Sequence, residues 1–172
     1  AGIAALGFGT ESIPKVRKVV GPGSPAVTLA QVEMQRHGLA TMMLLGPTES
    51  LVVADDTAHV GRLASDLLIE AEHGTDSSVV LVCTSQDIID AVENELQIQI
   101  GDLPANRAEA CRASLGDNGG AILVTSLTEA IDVANVYAPE HCQVAVSAQD
   151  EEMVVDGIIN AGEILIGQHT PF

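Results

Sequence analysis

Short apolar runs alternate along the chain with longer segments in which apolar residues recur every three or four positions. The runs are rich in valine, leucine and isoleucine and are typical of buried strands, whereas the longer segments are typical of amphipathic helices. The pattern predicts strands at residues 41–45, 50–54, 79–83, 121–124, 142–146 and 162–166. It predicts helices at residues 1–8, 25–36, 60–72, 107–115, 126–136 and 150–160, and one that begins at Ser85.

Polar residues mark the predicted helix starts. Ser24 precedes Pro25, which suits the first helical position, residues 55–57 are a predicted cap, and residues 126–129 form a capping box. Because strand and helix alternate with short links, we expect an open α/β layer with right-handed crossovers.

The composition agrees with this fold class. The 172-residue chain is 47% hydrophobic but 2% aromatic, so an aliphatic core is expected, which suits a parallel sheet between helices. No apolar run approaches the ~18 residues that span a bilayer, and no signal peptide is visible. Ala1 opens what resembles the middle of a helix, so the chain is predicted to be a fragment.

The charge excludes some partners. A formal net charge of −17 comes from 24 acidic and 7 basic residues, and no lysine or arginine follows Arg112. This balance argues against nucleic acids and anionic membranes as partners and indicates a solvated acidic surface. Three widely spaced cysteines without a CxxC motif indicate a reducing compartment, so we expect a cytoplasmic protein.

A candidate metal pair lies at the end of the helix predicted at residues 60–72. Glu70 and His73 are three residues apart, so their side chains leave one helical face and offer an oxygen and a nitrogen that zinc accepts. The alternative is a histidine that the dipole of the helix C-terminus favours, paired with a glutamate. Two ligands do not complete a zinc site.

Four stretches are predicted to lie beyond the carboxyl ends of strands, where open α/β sheets bind ligands: residues 21–24, 46–49, 73–75 and 139–141. Residues 21–23 read Gly-Pro-Gly before a helix and could hold an anion, although a plain turn explains them as well.

A second candidate pair is Glu140 and His141, at the junction of a loop and a strand. Histidine can take a proton from an alcohol and glutamate can activate water, whereas the simpler interpretation is a polar pair at the edge of a loop. Cys142 suggests a thiol nucleophile, but no second histidine near it in the sequence supports that role.

Ordered motifs along all 172 residues resemble histidinol dehydrogenase. They are Ile-Ala-Ala-Leu-Gly-Phe-Gly-Thr-Glu at 3–11, Ile-Pro-Lys-Val at 13–16, Gly-Pro-Gly at 21–23, Gly-Pro-Thr-Glu at 46–49, Ala-Glu-His at 71–73, Asp-Asn-Gly at 117–119, Ala-Pro-Glu-His at 138–141 and Thr-Pro at 170–171. The family chain is far longer, and this sequence resembles its central portion.

The resemblance implies an α/β fold with a Rossmann-like layered sheet of mostly parallel strands and helices on both faces. Residues 1–172 would form mainly one such domain, with residues 1–45 belonging to or contacting a second, NAD-binding domain. It also implies a cytoplasmic homodimer of histidine biosynthesis that contains zinc and uses NAD. Such an enzyme oxidises a small-molecule alcohol through an aldehyde to a carboxylate.

The resemblance also implies roles for individual residues. His141 matches the family's general base and Glu140 matches the glutamate that prepares water for the second oxidation. Zinc and substrate binding are carried over to Glu70 and His73, and substrate binding also to Thr48. Cofactor binding falls on Pro22, Gly23 and Ser24.

The departures from the family bear on function. Glu70 stands where the family has glutamine, Thr48 where it has serine, Ser24 where asparagine is usual, and Ala1 where it has a glutamine near the cofactor. Some of the sequence motifs more closely resemble those of a paralogous branch, which oxidises other alcohols such as a sulfonated propanediol. The family's aspartate ligand and the histidine ligand donated across the dimer would lie beyond residue 172. A second hypothesis is therefore a truncated scaffold that binds a nucleotide or a partner chain.

Overall fold

Helices and strands alternate along the chain in the computed structural model, which describes residues 1–21, 23–42 and 46–172. They form two units, Ala1–Gly46 and Pro47–Phe172. No helix in these ranges is both long and apolar enough to cross a membrane.

The first unit contains two helices and a pair of short strands in its described part. In chain order they are α1 (Gly2–Phe8), β1 (Lys18–Val19), α2 (Pro25–Gln35) and β2 (Ala40–Thr41). The two strands are parallel and pair Lys18 with Ala40. The strand predicted at 41–45 thus begins one residue early, and residues 43–45 lie outside the described ranges.

The second unit is a five-stranded sheet with helices on both faces. Its elements are β3 (Glu49–Ala54), α3 (Val60–Ala71), β4 (Ser78–Cys83), α4 (Gln86–Gly101), α5 (Ala105–Arg112), a π-helical turn (Ala113–Asp117), β5 (Gly120–Leu123), α6 (Leu127–Tyr137), β6 (His141–Ala145), α7 (Glu151–Gly157) and β7 (Glu163–Ile166). The strand order is β5-β4-β3-β6-β7, and every pair is parallel. The predicted α/β class with parallel strands is confirmed.

Alternation of side chains along each strand produces two aliphatic layers. Val52 and Leu81 pack on one face with Leu67 of α3 and Val92 of α4. On the other face, Val144 belongs to the layer that α6 and α7 cover. Because the chain steps outward from β3 to β5 and then returns to β6, the strand order reverses between β3 and β6.

Two details of the prediction are wrong. Residues 55–57 do not cap α3, because His59 takes that position and accepts a hydrogen bond from the Arg62 amide. The strand predicted at 121–124 is not buried, because β5 lies at the edge of the sheet, where Ile122 and Leu123 are 41% and 51% exposed.

Candidate functional site

Three of the four candidate stretches lie at the amino ends of strands, and the prediction that they follow the strands is wrong for them. Residues 46–49, 73–75 and 139–141 lead into β3, β4 and β6. At the carboxyl ends, the strand order reverses between β3 and β6, and a hydrogen bond joins the two segments that follow these strands. The Asp55 carboxylate accepts it from the Ser147 amide at 2.7 Å and also accepts one from the Thr57 amide at 2.9 Å. The fourth stretch, residues 21–24, belongs to the first unit and follows β1.

Glu70 lies on the buried side of α3, near the end of the helix. Its side chain is only 5% exposed, and its Oε2 atom accepts a hydrogen bond of 2.7 Å from the Ser50 hydroxyl. Ser50 is itself completely buried at the start of β3. The bond satisfies one oxygen of a buried carboxylate that would otherwise be costly to bury.

His73 follows α3 and is exposed. Its Nδ1 atom lies 2.8 Å from the Ile69 carbonyl oxygen, and its amide donates to the Glu70 carbonyl at 3.2 Å. A proton on Nδ1 that is donated to this carbonyl leaves Nε2 with its lone pair. This is the arrangement found in histidines that ligate metals, whose second nitrogen is held by a backbone carbonyl or a carboxylate.

Glu70 and His73 supply an oxygen and a nitrogen, the donor types that a divalent cation such as zinc accepts. Within residues 1–21, 23–42 and 46–172, no cluster of three or more histidine, cysteine, aspartate or glutamate side chains is arranged to hold a metal. The metal role of Glu70 and His73 stays a prediction, and as two of the four ligands that zinc takes they would form a half site.

His141 is the first residue of β6 and lies between two carboxylates. Its Nδ1 atom is 3.1 Å from Oε2 of Glu163, and its Nε2 atom is 3.9 Å from Oε1 of Glu140. The His141 side chain is 29% exposed, whereas those of Glu140 and Glu163 are 50% and 58% exposed. The imidazole is therefore half-buried, with both partners at the surface.

The sheet register brings the two candidate pairs to the same face. Ser50 pairs with His141 across β3 and β6, and paired residues project to one face of a sheet. Since the Ser50 hydroxyl contacts Glu70 on α3, His141 also lies on the face that α3 covers. We call Ser50, Glu70, Glu140, His141 and Glu163 the amino-end cluster.

Gln143 supports this placement. It lies two residues after His141 on β6 and is fully buried, and its amide donates to Oδ2 of Asp66 on α3 at 2.8 Å. Burial raises the pKa of the Asp66 carboxyl, and the hydrogen bond from Gln143 and the charge of Arg62 oppose that effect. A polar row thus continues beneath α3 from the amino-end cluster.

Cys142 does not fit the role of a nucleophile. It is completely buried in the layer on the opposite face of the sheet from His141. Burial raises the pKa of its thiol to about 12, so the reactive thiolate is disfavoured near neutral pH.

The remaining candidate residues lie at two places. Thr48 is half-buried, two residues before Ser50, and its carbonyl accepts from the Ser78 amide at 2.9 Å. In the first unit, Ser24 is the residue that precedes α2, and Gly23 lies against Val27. Pro22 lies outside the described residues.

The sequence analysis missed two members of the amino-end cluster. Ser50 is one polar residue in an apolar strand, and Glu163 is one of many acidic residues. Only strand pairing shows their importance, because Ser50, His141 and Glu163 are neighbours across β3, β6 and β7.

Comparison with known proteins identifies the family. The family model described as histidinol dehydrogenase matches residues 1–172. The chain is 42% identical to the histidinol dehydrogenases of Campylobacter jejuni and Pseudoalteromonas translucida over 171 residues. It covers 98% of itself in both alignments but 39% and 38% of those relatives.

Solved structures agree. The crystal structure of histidinol dehydrogenase from Elizabethkingia anophelis matches with a TM-score of 0.89 and 38% identity, over 99% of this chain and 38% of that one. A propionaldehyde dehydrogenase from the Clostridium phytofermentans fucose utilisation bacterial microcompartment matches with a TM-score of 0.54 at 13% identity, over 98% of this chain and 50% of that one, and shows a shared fold only. The family members are oxidoreductases, and this chain belongs to the histidinol dehydrogenase family.

Proposed function

We propose that the chain is the central part of an NAD-dependent, zinc-containing oxidoreductase that converts an alcohol through an aldehyde to a carboxylate. The observation that carries the proposal is the amino-end cluster, in which Ser50 joins the two predicted pairs: its side chain contacts Glu70 and its strand position adjoins His141. Because the chain spans 39% of its relatives' length or less, the activity of a complete enzyme is part of the proposal.

In this proposal His141 acts as the general base. The proton of the substrate hydroxyl moves to an imidazole nitrogen, and NAD, when bound, would supply the acceptor for the hydride of the carbinol carbon. The resulting imidazolium lies near the carboxylates of Glu140 and Glu163. In the second oxidation Glu140, which is half exposed, accepts a proton from the water that adds to the aldehyde.

Glu70 and His73 are the residues that would hold zinc, which when bound supplies a Lewis acid for the substrate oxygen. His73 has its Nδ1 atom engaged by Ile69, so Nε2 is its ligand atom. Oε2 of Glu70 accepts the bond from Ser50, so Oε1 would be its ligand atom. A carboxylate here adds a negative charge that the family's glutamine lacks, which would strengthen cation binding.

We further propose that the substrate is a small alcohol that Thr48 helps to bind, and that Pro22, Gly23 and Ser24 contribute to NAD binding. The first turn of α2 follows Ser24, and the Ser24 side chain accepts no hydrogen bond from it within the described residues. Backbone amides at such a helix start can bind a phosphate. A cytoplasmic homodimer remains our expectation for the complete enzyme.

The test is a hybrid enzyme in which these 172 residues replace the matching segment of the Escherichia coli O157:H7 histidinol dehydrogenase, which is 42% identical over 172 residues. We expect the hybrid to form NADH from an alcohol and the His141→Ala hybrid to lose at least about 100-fold in turnover, as expected for a general base. His37→Ala is the control and should retain activity, because His37 lies in the first unit, contacts Phe8 and is not a member of the amino-end cluster. Near-normal turnover of the His141→Ala hybrid would refute the assignment.

The half site favours a second candidate function for the isolated chain, a scaffold without the chemistry that binds a nucleotide or a partner chain. Two predicted metal ligands leave half of a four-ligand zinc shell to other residues, and the described residues contain no cluster of three or more histidine, cysteine, aspartate or glutamate side chains arranged for a metal. NADH formation by the 172-residue chain alone would exclude this candidate.

A further inference from the structure

Glu163 makes the shorter of the two carboxylate contacts to the His141 ring. Its Oε2 atom lies 3.1 Å from Nδ1 of His141, within hydrogen-bond distance, whereas Glu140 lies 3.9 Å from the other ring nitrogen, beyond that distance. The two carboxylates thus address opposite nitrogens of one imidazole at different distances. Glu163 is the nearer partner, and the nitrogen it meets is not the one that faces Glu140.

The backbone holds Glu163 in register with His141. The two residues pair across β7 and β6, and the Glu163 amide donates to the Glu140 carbonyl at 2.9 Å. The preceding Gly162 amide donates to the Pro139 carbonyl at 3.0 Å. The Glu163 side chain therefore starts from a fixed point beside the imidazole, although its carboxylate is at the surface.

The hydrogen bond at one nitrogen of a histidine decides which tautomer the ring adopts. A carboxylate cannot donate a proton when ionised, so Nδ1 must carry the proton that Glu163 accepts. Nε2 then keeps its lone pair. In the opposite tautomer Nε2 would carry a proton and could not accept one from an alcohol.

We propose that Glu163 is a positioning residue that holds His141 in the Nδ1–H tautomer and thereby makes Nε2 the basic atom. The inference rests on the proposed function, because it takes His141 as the base. When the substrate hydroxyl proton moves to Nε2 and the hydride leaves to NAD, the ring becomes an imidazolium whose Nδ1–H still points to Glu163. Glu163 itself remains ionised and transfers no proton.

The test is nitrogen NMR of the 172-residue chain labelled with ¹⁵N at its histidine rings, at mildly alkaline pH where imidazoles are neutral. We expect His141 to be mainly the Nδ1–H tautomer. Glu163→Leu should shift the majority to Nε2–H, the form that a solvated imidazole prefers. Glu163→Gln should show a weaker preference for Nδ1–H than the unsubstituted chain, because its amide can either accept from Nδ1–H or donate to an unprotonated Nδ1.

Two controls separate positioning from folding. Glu140→Leu removes the carboxylate at 3.9 Å and should leave the tautomer unchanged. The ring of His73, whose Nδ1 lies 2.8 Å from the Ile69 carbonyl, should keep its signals in every variant that folds.

An Nε2–H tautomer in the unsubstituted chain, or an Nδ1–H tautomer that survives in Glu163→Leu, would overturn the proposal. So would a loss of the Nδ1–H form in Glu140→Leu alone. These outcomes are distinct from failure of the proposed function, which would show as normal turnover of the His141→Ala hybrid whatever the tautomer.

Discussion

Gly162 is the position where one added methyl group tests the geometry of the amino-end cluster most directly. A Cβ atom at Gly162 would lie 2.7 Å from the Glu140 carbonyl oxygen and 3.5 Å from the Glu140 carbonyl carbon. That oxygen accepts a hydrogen bond from the Glu163 amide, so it belongs to backbone that cannot turn away like the end of a side chain. Gly162→Ala must therefore push β7 and the 139–141 segment apart.

The size of the effect follows from this overlap. Ordinary contacts of a Cβ atom begin near 3.4 Å, so the carbonyl must give by several tenths of an ångström. Overpacking of this kind costs about 1–3 kcal/mol. At roughly 2–4 °C per kcal/mol for a chain of this size, the melting temperature should fall by about 2–12 °C.

Gly101→Ala is the matched control. Gly101 is the last residue of α4, and a Cβ atom there would meet nothing within 4 Å. Alanine is a better helix former by about 1 kcal/mol, so this variant should be as stable as the original chain or more stable. Urea unfolding and thermal melts of both variants are the assay. Equal stability of Gly162→Ala and Gly101→Ala would refute the close approach of Gly162 to Glu140.

Two further predictions concern buried carboxyl groups. Ser50→Ala should lower the free energy of unfolding by about 1–3 kcal/mol, because Oε2 of Glu70 loses its donor inside the protein; a loss below about 0.5 kcal/mol in urea unfolding would mean that water already reaches Glu70. Burial raises the Asp66 pKa above its ordinary 3.8, so the folded state favours the protonated acid and loses stability as the pH rises through the folded pKa. The Asp66→Asn variant, whose amide oxygen still accepts a hydrogen bond from Gln143, should therefore be more stable than the original chain at neutral pH. Below pH 3.8 this gain in stability should disappear. A stability difference that does not change with pH would contradict this reasoning.

Much of the fold could be predicted because its signals are local. The run of β-branched residues at 79–83 and the helical spacing within 60–72 lie inside single elements, and the structure contains both. The exposure of β5 could not be predicted in the same way. Whether a strand is central or at an edge depends on its neighbours in the sheet. The residues Ala121, Ile122 and Leu123 do not by themselves indicate that β5 has a single neighbouring strand, β4.

In the candidate site, too, the sequence predicts only what lies close together along the chain. Glu70 and His73 share a turn, and Glu140 and His141 are adjacent in sequence, so each pair was visible as a pair. The link between them depends on the register of β3 with β6, which sets Ser50 beside His141. The prediction placed residues 46–49, 73–75 and 139–141 at the carboxyl ends of strands. Each of these stretches instead leads into a strand and therefore lies at its amino end.

The true position of the cluster has an electrostatic consequence. Because α3, α6 and α7 are each followed by a strand that starts at this edge, all three helices end there. A helix C-terminus carries a partial negative charge that favours cations within its last turn. Glu70 lies in the last turn of α3, and His141 follows the end of α6 by four residues. An edge built from helix C-termini suits a divalent metal and an imidazolium, whereas the carboxyl ends of the same strands, which lead to helix N-termini, would suit anions. In the proposed enzyme, a helix start such as that of α2 after Ser24 would accordingly bind the phosphates of the dinucleotide. The amino-end cluster would stabilise the metal ion and the imidazolium.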